Sequence, residues 1–151
     1  MSKIVFVCTG NTCRSPMAAM LAAQIFNKAG IVAEVISAGV NAWPNQPASR
    51  HAISVMEECG LSLVNHKACA TSDTLLEDAT LVLTMTASHR AVLLSDYPAA
   101  KEKIFTLAEY VGQNADVCDP FGGSLEDYRV CAAQIRELLV LAAEKLVRDD
   151  V

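Results

Sequence analysis

The stretch Lys3-Ile-Val-Phe-Val-Cys-Thr-Gly-Asn-Thr-Cys-Arg-Ser-Pro16 decides the fold of this chain. Residues 3–7 form a continuous run rich in β-branched and aromatic side chains, which predicts a strand buried on both faces of a parallel sheet. The turn-prone segment Thr9-Gly10-Asn11-Thr12 follows this run. Ser15 can then cap a helix that has Pro16 at its first position. The N-terminal segment is therefore predicted to be a strand, a tight loop and the start of a helix.

Strand and helix signals continue to alternate along the rest of the chain. Further strands are predicted at residues 33–37, 81–85 and 103–106, and helices at 16–28, 49–59, 86–95 and from Ser124 onward. This alternation predicts a three-layer α/β/α fold, in which helices cover both faces of a four-stranded parallel sheet. Since no repeat or linker interrupts the pattern, we expect a single domain over residues 1–151.

The last predicted helix has a clear start and a clear apolar face. Ser124 and Asp127 fit a capping box, in which each side chain bonds the backbone N–H of the other residue. Apolar residues then recur every three or four positions, at Leu125, Tyr128, Ala132, Ile135, Leu139, Ala142 and Leu146. We expect this stripe to belong to the core.

Composition excludes several classes of function. Of 151 residues, 52% are hydrophobic, and 12 Lys plus Arg against 17 Asp plus Glu give a net charge of −5. This balance predicts no nucleic-acid partner and no attraction to an anionic membrane. The longest apolar run, residues 17–23, is far shorter than the roughly 20 residues that span a bilayer. We expect a cytoplasmic protein, in which most of the six scattered cysteines are small buried hydrophobes.

The loop between the first strand and the first helix predicts an anion site. Five residues separate Cys8 from Arg14, which lets successive backbone N–H groups converge on one anion while Arg14 supplies a forked guanidinium. The helix that begins near Ser15 adds the positive end of its dipole. The lysine of a nucleotide-binding P-loop is missing, and a cysteine opens the loop instead. A dianionic phosphoryl group fits this pattern.

Cys8 is the candidate nucleophile of this loop. A cysteine at such a positive site is expected to be ionised, and Ser15 can donate a hydrogen bond to its sulfur. Asn11 suits an unusual backbone conformation beside Gly10, and its amide is expected to hold the shape of the loop. A lone cysteine is more often an inert buried residue, but the strand, the turn and the helix start around Cys8 favour catalysis.

Asp119 is the candidate acid. It lies in Asp119-Pro120-Phe121-Gly122-Gly123, where the proline favours an extended backbone and the two glycines let the segment fold over a site. The segment follows the fourth predicted strand, and ligands of open parallel sheets bind beyond the carboxyl ends of the strands. The alternative is an ordinary turn aspartate before a proline.

These motifs resemble the low-molecular-weight protein tyrosine phosphatases over essentially the whole chain. The resemblance is carried by residues 8–15, by Ser37-Ala38-Gly39 with Trp43, and by Asp119-Pro120. It implies a four-stranded parallel sheet, a cysteinyl-phosphate intermediate, phosphorylated proteins as substrates, and no metal or organic cofactor. It also implies that Cys13 can form a disulfide with Cys8 under oxidation.

The same resemblance assigns a role to each matching residue. Cys8 attacks the phosphorus, and Asp119 protonates the leaving group and then activates water. The phosphoryl oxygens are bound by Arg14 and by the loop amides of Thr9, Gly10, Asn11, Thr12 and Cys13.

Two positions make the chain most similar to the bacterial protein-arginine phosphatases. Tyrosine-specific members tend to carry a bulky aliphatic residue at the position of Thr12, whose hydroxyl can instead bond a polar leaving group. They also tend to carry paired aromatics after Asp-Pro, whereas Phe121 is followed here by Gly122. One aromatic wall can still stack on a guanidinium. Hydrolysis of phosphoarginine is the favoured hypothesis for the reaction, and hydrolysis of phosphotyrosine is the alternative.

Other readings are weaker. Arsenate reductases share the loop but need further cysteines after the third strand, and residues 81–90 contain none. A phosphoprotein-binding or redox-sensing module without activity would not need Cys8, Arg14 and Asp119 together. His51, His66 and His89 lack the paired spacing of a zinc site, so no metal is inferred, although His66 could support the loop. Cys118, beside Asp119, is expected to pack.

Overall fold

Four parallel strands organise residues 1–149, the part of the chain that this computed structural model describes. The strands are β1 (Ser2–Cys8), β2 (Ala33–Gly39), β3 (Leu81–Thr84) and β4 (Ile104–Thr106), in the spatial order β2-β1-β3-β4. The helices are α1 (Arg14–Lys28), α2 (Arg50–Glu58), α3 (Asp73–Asp78), α4 (Ala87–Asp96), α5 (Leu107–Tyr110) and α6 (Leu125–Arg148), with a 3-10 helix at Pro98–Lys103. The expected architecture and strand number are confirmed. Residues 150 and 151, the end of the expected domain, lie outside the described residues.

β1 is buried on both faces, as its continuous apolar run predicts. Ile4 and Phe6 point into the core that the sheet forms with α1 and α6, while Val5 and Val7 belong to the core on the opposite face. All four side chains are at most 1% exposed. Because side chains of this interior strand alternate between the two faces of the sheet, β1 contributes to the cores beneath both helical layers.

α6 begins and packs as its sequence predicts. Ser124 Oγ accepts from the Asp127 N–H at 3.2 Å, and Asp127 Oδ2 accepts from the Ser124 N–H at 2.9 Å. The apolar stripe from Tyr128 to Leu146 is buried in the core shared with α1, and Leu125 is half-buried against it. In the described chain no helix is long and apolar enough to cross a bilayer.

The start of α1 differs from the prediction. The helix begins at Arg14, its N-cap position is Cys13, and no side chain of the described residues caps it. Ser15 lies inside the first turn, and its hydroxyl contacts the sulfur of Cys8 instead of a helix N–H group. The expectation that Ser15 caps the helix is therefore wrong, because the loop uses this hydroxyl.

Order in the sheet creates the crevice in which the site lies. From β1 the chain passes through α1 to β2, and from β3 it passes through α4 to β4 at the other edge. The two connections leave the sheet on opposite faces, since α1 packs in one core and Leu93 of α4 in the other. The loops after β1 and β3 therefore diverge, as at the ligand-binding switch point of doubly wound sheets.

Candidate active site

A cavity of about 330 Å³ opens at the carboxyl end of β1. It is lined by Cys8, Thr9, Gly10, Thr12, Cys13, Arg14, Gln46, Asp119 and Phe121. Eight of these nine residues carry predicted roles, and Gln46 is the addition. The two remaining predicted residues, Asn11 and Ser15, lie behind the loop. Trp43 is 78% exposed and is not among the lining residues.

The loop presents free backbone donors to this cavity. Within residues 1–149 no protein acceptor is paired with the backbone N–H groups of residues 10–13. The first turn of α1, which also lacks a side-chain cap, follows directly. Unpaired N–H groups at a helix N-terminus favour an anion, because they place several partial positive charges around one point. The local arrangement can therefore attract a phosphoryl group although the protein carries a net charge of −5.

Cys8 has a polar partner inside the protein. Its Sγ lies 2.9 Å from Ser15 Oγ, and the Cys8 residue is 3% exposed. Ser15 Oγ also accepts a hydrogen bond from Asn11 Nδ2 at 2.9 Å. A thiolate can only accept, so in the ionised state the Ser15 hydroxyl must be the donor of the contact. The arrangement is suited to holding a sulfur anion.

Asn11 holds the loop from behind. It adopts φ 57°, is fully buried, and donates through Nδ2 to both Ser15 Oγ and Ser37 Oγ at 2.9 Å. Its Oδ1 accepts from the Cys69 N–H at 3.0 Å, and its backbone oxygen lies 2.7 Å from His66 Nε2. The expected structural role of the Asn11 amide and the supporting contact of His66 agree with this geometry.

Gly39 lets β2 approach the loop closely. A Cβ atom at this position would collide with the backbone oxygen of Thr9 and would lie 2.9 Å from the Asn11 nitrogen. Just beyond it, the Val40 N–H donates to the Cys8 oxygen at 3.0 Å. The loop therefore requires a residue without a side chain at the end of β2.

Arg14 is a buried cation whose counterion is the candidate acid. Arg14 is 5% exposed, its Nη1 donates to the Val117 oxygen at 3.3 Å, and its Nη2 lies 3.5 Å from Asp119 Oδ2. The Asp119 side chain is 58% exposed, and its Oδ1 accepts from the Phe121 N–H at 3.1 Å. The carboxylate thus sits at the mouth of the cavity, while the ring of Phe121 extends into solvent.

α6 anchors the segment that carries Asp119. Gln134 Oε1 accepts from the Cys118 N–H at 3.1 Å, and Gln134 Nε2 donates to the Asp116 oxygen at 2.9 Å. Sequence reasoning missed Gln134, because it lies on a helix face that otherwise looks like a surface. Cys118 itself is exposed, so the expectation that its side chain packs is wrong.

The other cysteines divide between the core and the surface. Cys131, like Cys8 and Cys13, is buried, whereas Cys59 is half-buried and Cys69 is exposed. Only three of the six are therefore buried, fewer than the composition predicts. Burial and the nearby sulfur and carbonyl of Cys118 raise the pKa of the Cys131 thiol, which marks it as an inert core residue.

The Cys13 thiol is held on the core side of the loop. Its Sγ lies 3.3 Å from the Tyr128 hydroxyl and donates to Ser49 Oγ at 3.4 Å. Burial and the contact with Cys13 raise the pKa of Tyr128 to about 12, so its hydroxyl keeps its proton at neutral pH. These partners restrain the second sulfur of the loop.

His89 is the third residue at the site, after Gln46 and Gln134, for which the sequence did not indicate a role. It is 5% exposed, its Nε2 lies 2.8 Å from Thr9 Oγ1, and its Nδ1 lies 3.0 Å from Thr86 Oγ1. Burial and the Arg14 charge lower the pKa of His89 to about 4, so the ring is neutral at physiological pH. A histidine whose partner is 80 positions away leaves no local pattern in the sequence.

Comparison with known proteins agrees with the fold and the loop motifs. The low molecular weight phosphotyrosine protein phosphatase family matches residues 3–151. A protein-arginine-phosphatase of Bacillus subtilis is 44% identical over 147 residues, which are 97% of each chain. A Staphylococcus epidermidis low molecular weight protein-tyrosine-phosphatase, PtpB, is 35% identical over 91% of this chain and 94% of its own.

A solved structure points the same way. A mutant of the YwlE arginine phosphatase with a phosphorylated active-site serine superposes with a TM-score of 0.94 at 43% identity, covering 97% of both chains. The resemblance first carried by residues 8–15 and by Asp119-Pro120 is thus confirmed over nearly the full length. The chain belongs to the low molecular weight phosphotyrosine protein phosphatase family.

Proposed function

We propose that this protein hydrolyses phosphoarginine in phosphorylated proteins through a cysteinyl-phosphate intermediate. The observation that carries the proposal is the cavity wall: Thr12 supplies a hydroxyl there, and Phe121 is the single aromatic residue among those that line it. A relative named protein-arginine-phosphatase at 44% identity supports the same substrate.

In the first step, the Cys8 thiolate attacks the phosphorus and the bond from phosphorus to the guanidinium nitrogen breaks. The protonated carboxyl group of Asp119, at the mouth of the cavity, gives its proton to that nitrogen, so that arginine leaves as its guanidinium and Asp119 becomes a carboxylate. Arg14 and the unpaired N–H groups of the loop bind the three phosphoryl oxygens and stabilise the charge that develops on them. Phosphorus is then bonded to sulfur.

In the second step, the Asp119 carboxylate takes a proton from water and the resulting hydroxide attacks the phosphorus. The bond from phosphorus to sulfur breaks, inorganic phosphate leaves, and Cys8 is again a thiolate. Ser15, 2.9 Å from the sulfur, donates to this leaving group and so favours its departure. The cycle returns every group to its starting state without a cofactor.

Polar groups near the mouth fit a guanidinium better than a phenyl ring. The Thr12 hydroxyl and the carboxyl group of Asp119 can pair with the guanidinium of the leaving arginine, and the Phe121 ring can stack on its plane. A phenyl ring would leave these polar groups without partners, which costs more than a missing methylene. The site therefore favours phosphoarginine over phosphotyrosine.

Phosphotyrosine is the second candidate substrate. It is favoured by the PtpB relative at 35% identity, and the same roles of Cys8, Arg14 and Asp119 would serve it. The two candidates differ only in the groups around the leaving side chain.

The test compares kcat/KM on phosphoarginine and phosphotyrosine peptides of the same sequence. We expect Thr12→Ile and the isosteric Thr12→Val to lower the ratio of kcat/KM on phosphoarginine to kcat/KM on phosphotyrosine by about tenfold. This factor corresponds to the loss of one hydrogen bond to a charged group. Thr12→Ser, which keeps the hydroxyl, serves as the matched control and should keep the ratio. A wild-type enzyme that prefers phosphotyrosine would refute the arginine assignment and leave the phosphatase assignment intact.

We infer further that the enzyme works as one domain in the cytoplasm. The support is chemical, because a thiolate nucleophile needs a reducing compartment, and all six cysteines are free.

Mass spectrometry tests the assignment of Cys8 as the nucleophile. After incubation with phosphoarginine peptide, the Cys8→Ser variant should carry phosphate on residue 8 or on no residue. Phosphate on any other residue would contradict the assignment.

A further inference from the structure

We propose that His89 is a positioning residue that turns the Thr9 hydroxyl into a hydrogen-bond donor for the phosphoryl group. This inference rests on the proposed phosphatase function and extends it to a residue outside the motif of residues 8–15. His89 does not line the cavity, so it acts through Thr9, which does.

The contacts place His89 between two threonine hydroxyls. Thr9 follows the nucleophile directly, and its Oγ1 lies 2.8 Å from His89 Nε2. Thr86 is the N-cap residue of α4, and its Oγ1 lies 3.0 Å from His89 Nδ1. The ring is buried, and it bridges the loops that follow β1 and β3 on either side of the crevice.

The available donors and acceptors fix the direction of the hydrogen bonds from Thr86 to His89 and from His89 to Thr9. Thr86 Oγ1 already accepts from the His89 backbone N–H at 3.2 Å. Among residues 1–149 His89 Nδ1 is the only acceptor placed within hydrogen-bond reach of the Thr86 hydroxyl proton. The Thr86 hydroxyl therefore donates to Nδ1, and the proton of the neutral ring resides on Nε2.

The tautomer of the ring then determines whether the Thr9 hydroxyl presents its proton or a lone pair to the substrate. With its proton on Nε2, His89 donates to Thr9 Oγ1, and the Thr9 hydroxyl proton is left to point into the cavity. The opposite tautomer would draw that proton toward the ring and leave the Thr86 proton unpaired. It would also turn a lone pair of Thr9 toward the phosphoryl oxygens, which would repel them.

The charges around His89 keep it in the form that this mechanism needs. Arg14 disfavours a second positive charge nearby, whereas the carboxylates of Asp116 and Asp119 favour it. Burial acts in the same direction as Arg14, and together they outweigh the carboxylates. A neutral ring carries one proton on its two nitrogens, so the nitrogen that holds it determines whether Thr9 accepts from the ring or donates to it.

A hydroxyl donor held in this way adds to the loop amides. It is oriented before the substrate arrives, because Thr86, the N-cap residue of α4, fixes the orientation of the His89 ring. Preorganised donors of this kind stabilise charge in the transition state without reorganisation. Its loss should therefore lower kcat more than it raises KM.

The experiment uses p-nitrophenyl phosphate, which probes the phosphoryl site without testing arginine specificity. We expect Thr9→Val and His89→Asn each to lower kcat by about tenfold, the value of one hydrogen bond to a charged group. The double variant should fall no further than either single one, because both remove the same donor. Thr9→Ser and His89→Gln, which restore a hydroxyl and an N–H donor at the place of Nε2, should recover most of the rate.

One control variant and two spectroscopic measurements separate this role from a merely structural one. Ser88→Ala, an exposed neighbour in the first turn of α4, is the matched control and should keep the wild-type kcat. Nitrogen-15 NMR of the wild-type protein at pH 7 should find the His89 proton on Nε2, and circular dichroism should find all variants folded.

Three outcomes would overturn the inference, and they differ from each other. A proton on Nδ1, or additive losses in the double variant, would refute the role of His89 while the enzyme still turned over its substrate. A folded wild-type protein that turned over neither p-nitrophenyl phosphate nor phosphoarginine peptide would refute the proposed function, and the role of His89 with it.

Discussion

At the scale of single residues, the position of Ser15 shows how one hydroxyl can leave an ordinary structural role for a chemical one. A serine before a proline usually caps a helix, yet here α1 begins without a side-chain cap. The hydroxyl contacts the Cys8 sulfur, and the uncapped N–H groups face an incoming anion. The same position of Ser15 therefore leaves α1 without a side-chain cap and gives the Cys8 sulfur a polar partner.

Replacing Ser15 tests this contact directly. We expect Ser15→Ala to lower kcat by about tenfold to a hundredfold, since a hydrogen bond to a charged leaving group is worth about 1.5–3 kcal/mol. A stopped-flow burst with p-nitrophenyl phosphate should grow relative to the steady state, because release from sulfur becomes slower than attack. Ser54→Ala is the control, since among residues 1–149 its hydroxyl bonds the Arg50 oxygen of its own helix and no other partner. An unchanged burst would contradict the assigned role.

Gly39 allows a second prediction about a single position. A Cβ at this residue meets backbone atoms of the loop, which cannot move aside as a flexible side chain could. We expect Gly39→Ala to abolish most activity and to destabilise the fold by about 1–3 kcal/mol, as overpacking does. Urea unfolding and kcat/KM measure the two effects.

The matched control for this prediction is Gly60→Ala. Gly60 has φ 76° with open space around it, so alanine there strains the backbone without touching the site. It should lose about 1 kcal/mol of stability and keep its kcat/KM. Equal activity losses in both variants would mean that Gly39 matters only for stability.

At the scale of elements, α6 does more than close the core. Gln134 on this helix binds the backbone on both sides of Val117, whose oxygen in turn accepts from Arg14. The helix thus positions the segment that holds Asp119. A helix of the core thus supports the irregular segment that carries the acid.

Removing that support should affect catalysis more than folding. We expect Gln134→Ala to lower kcat on phosphoarginine peptide by about tenfold, because Asp119 then samples more positions. Gln134→Glu keeps an acceptor for the Cys118 N–H but loses the donor to the Asp116 oxygen, so it should fall between. Glu137→Ala, on the exposed face of the same helix, is the control. A Gln134→Ala enzyme with the wild-type kcat would show that the segment holds itself in place.

Long periodic helices could be predicted from the sequence, and the two shortest α-helices could not. The stripe and capping box of α6 specify it locally, and β1 follows from one apolar run. α3 and α5 have six and four residues, too few to display a helical period. Thr106 and Glu109 nevertheless form a capping box, and this signal could have identified α5.

The candidate site was partly predictable for a related reason. Residues 8–15 and Asp119 carry chemistry in a contiguous pattern, so their types and spacing indicate it. Gln46, His89 and Gln134 reach the site only through the fold, because their partners lie far away in the sequence. Pair contacts of this kind depend on three-dimensional packing, which a local pattern does not record.

At the scale of the whole molecule, His89 couples stability to pH. Its pKa is about 4 in the folded state and about 6.5 in an unfolded chain. Between these values the unfolded chain binds more protons, so acid stabilises the unfolded state and stability is lost as the pH falls. The contribution of His89 is complete above pH 6.5.

Comparison with His89→Gln isolates this effect from the carboxylates. Between pH 7 and pH 5 the free energy of unfolding of the wild type should fall by about 2 kcal/mol more than that of His89→Gln. Urea titrations at the two pH values measure the difference. Parallel losses in both proteins would mean that His89 titrates normally in the folded state.

The interior place of β1 also bears on how the protein is made. A ribosome releases Cys8, at the end of β1, before β2, β3 and β4, and it releases Asp119 after all of them and just before α6. A nascent chain therefore exposes the sulfur before any proton donor exists to serve it. Phosphate hydrolysis therefore begins only after the segment with Asp119 has also been synthesised and folded, which spares the unfinished polypeptide from acting on the phosphorylated proteins around it.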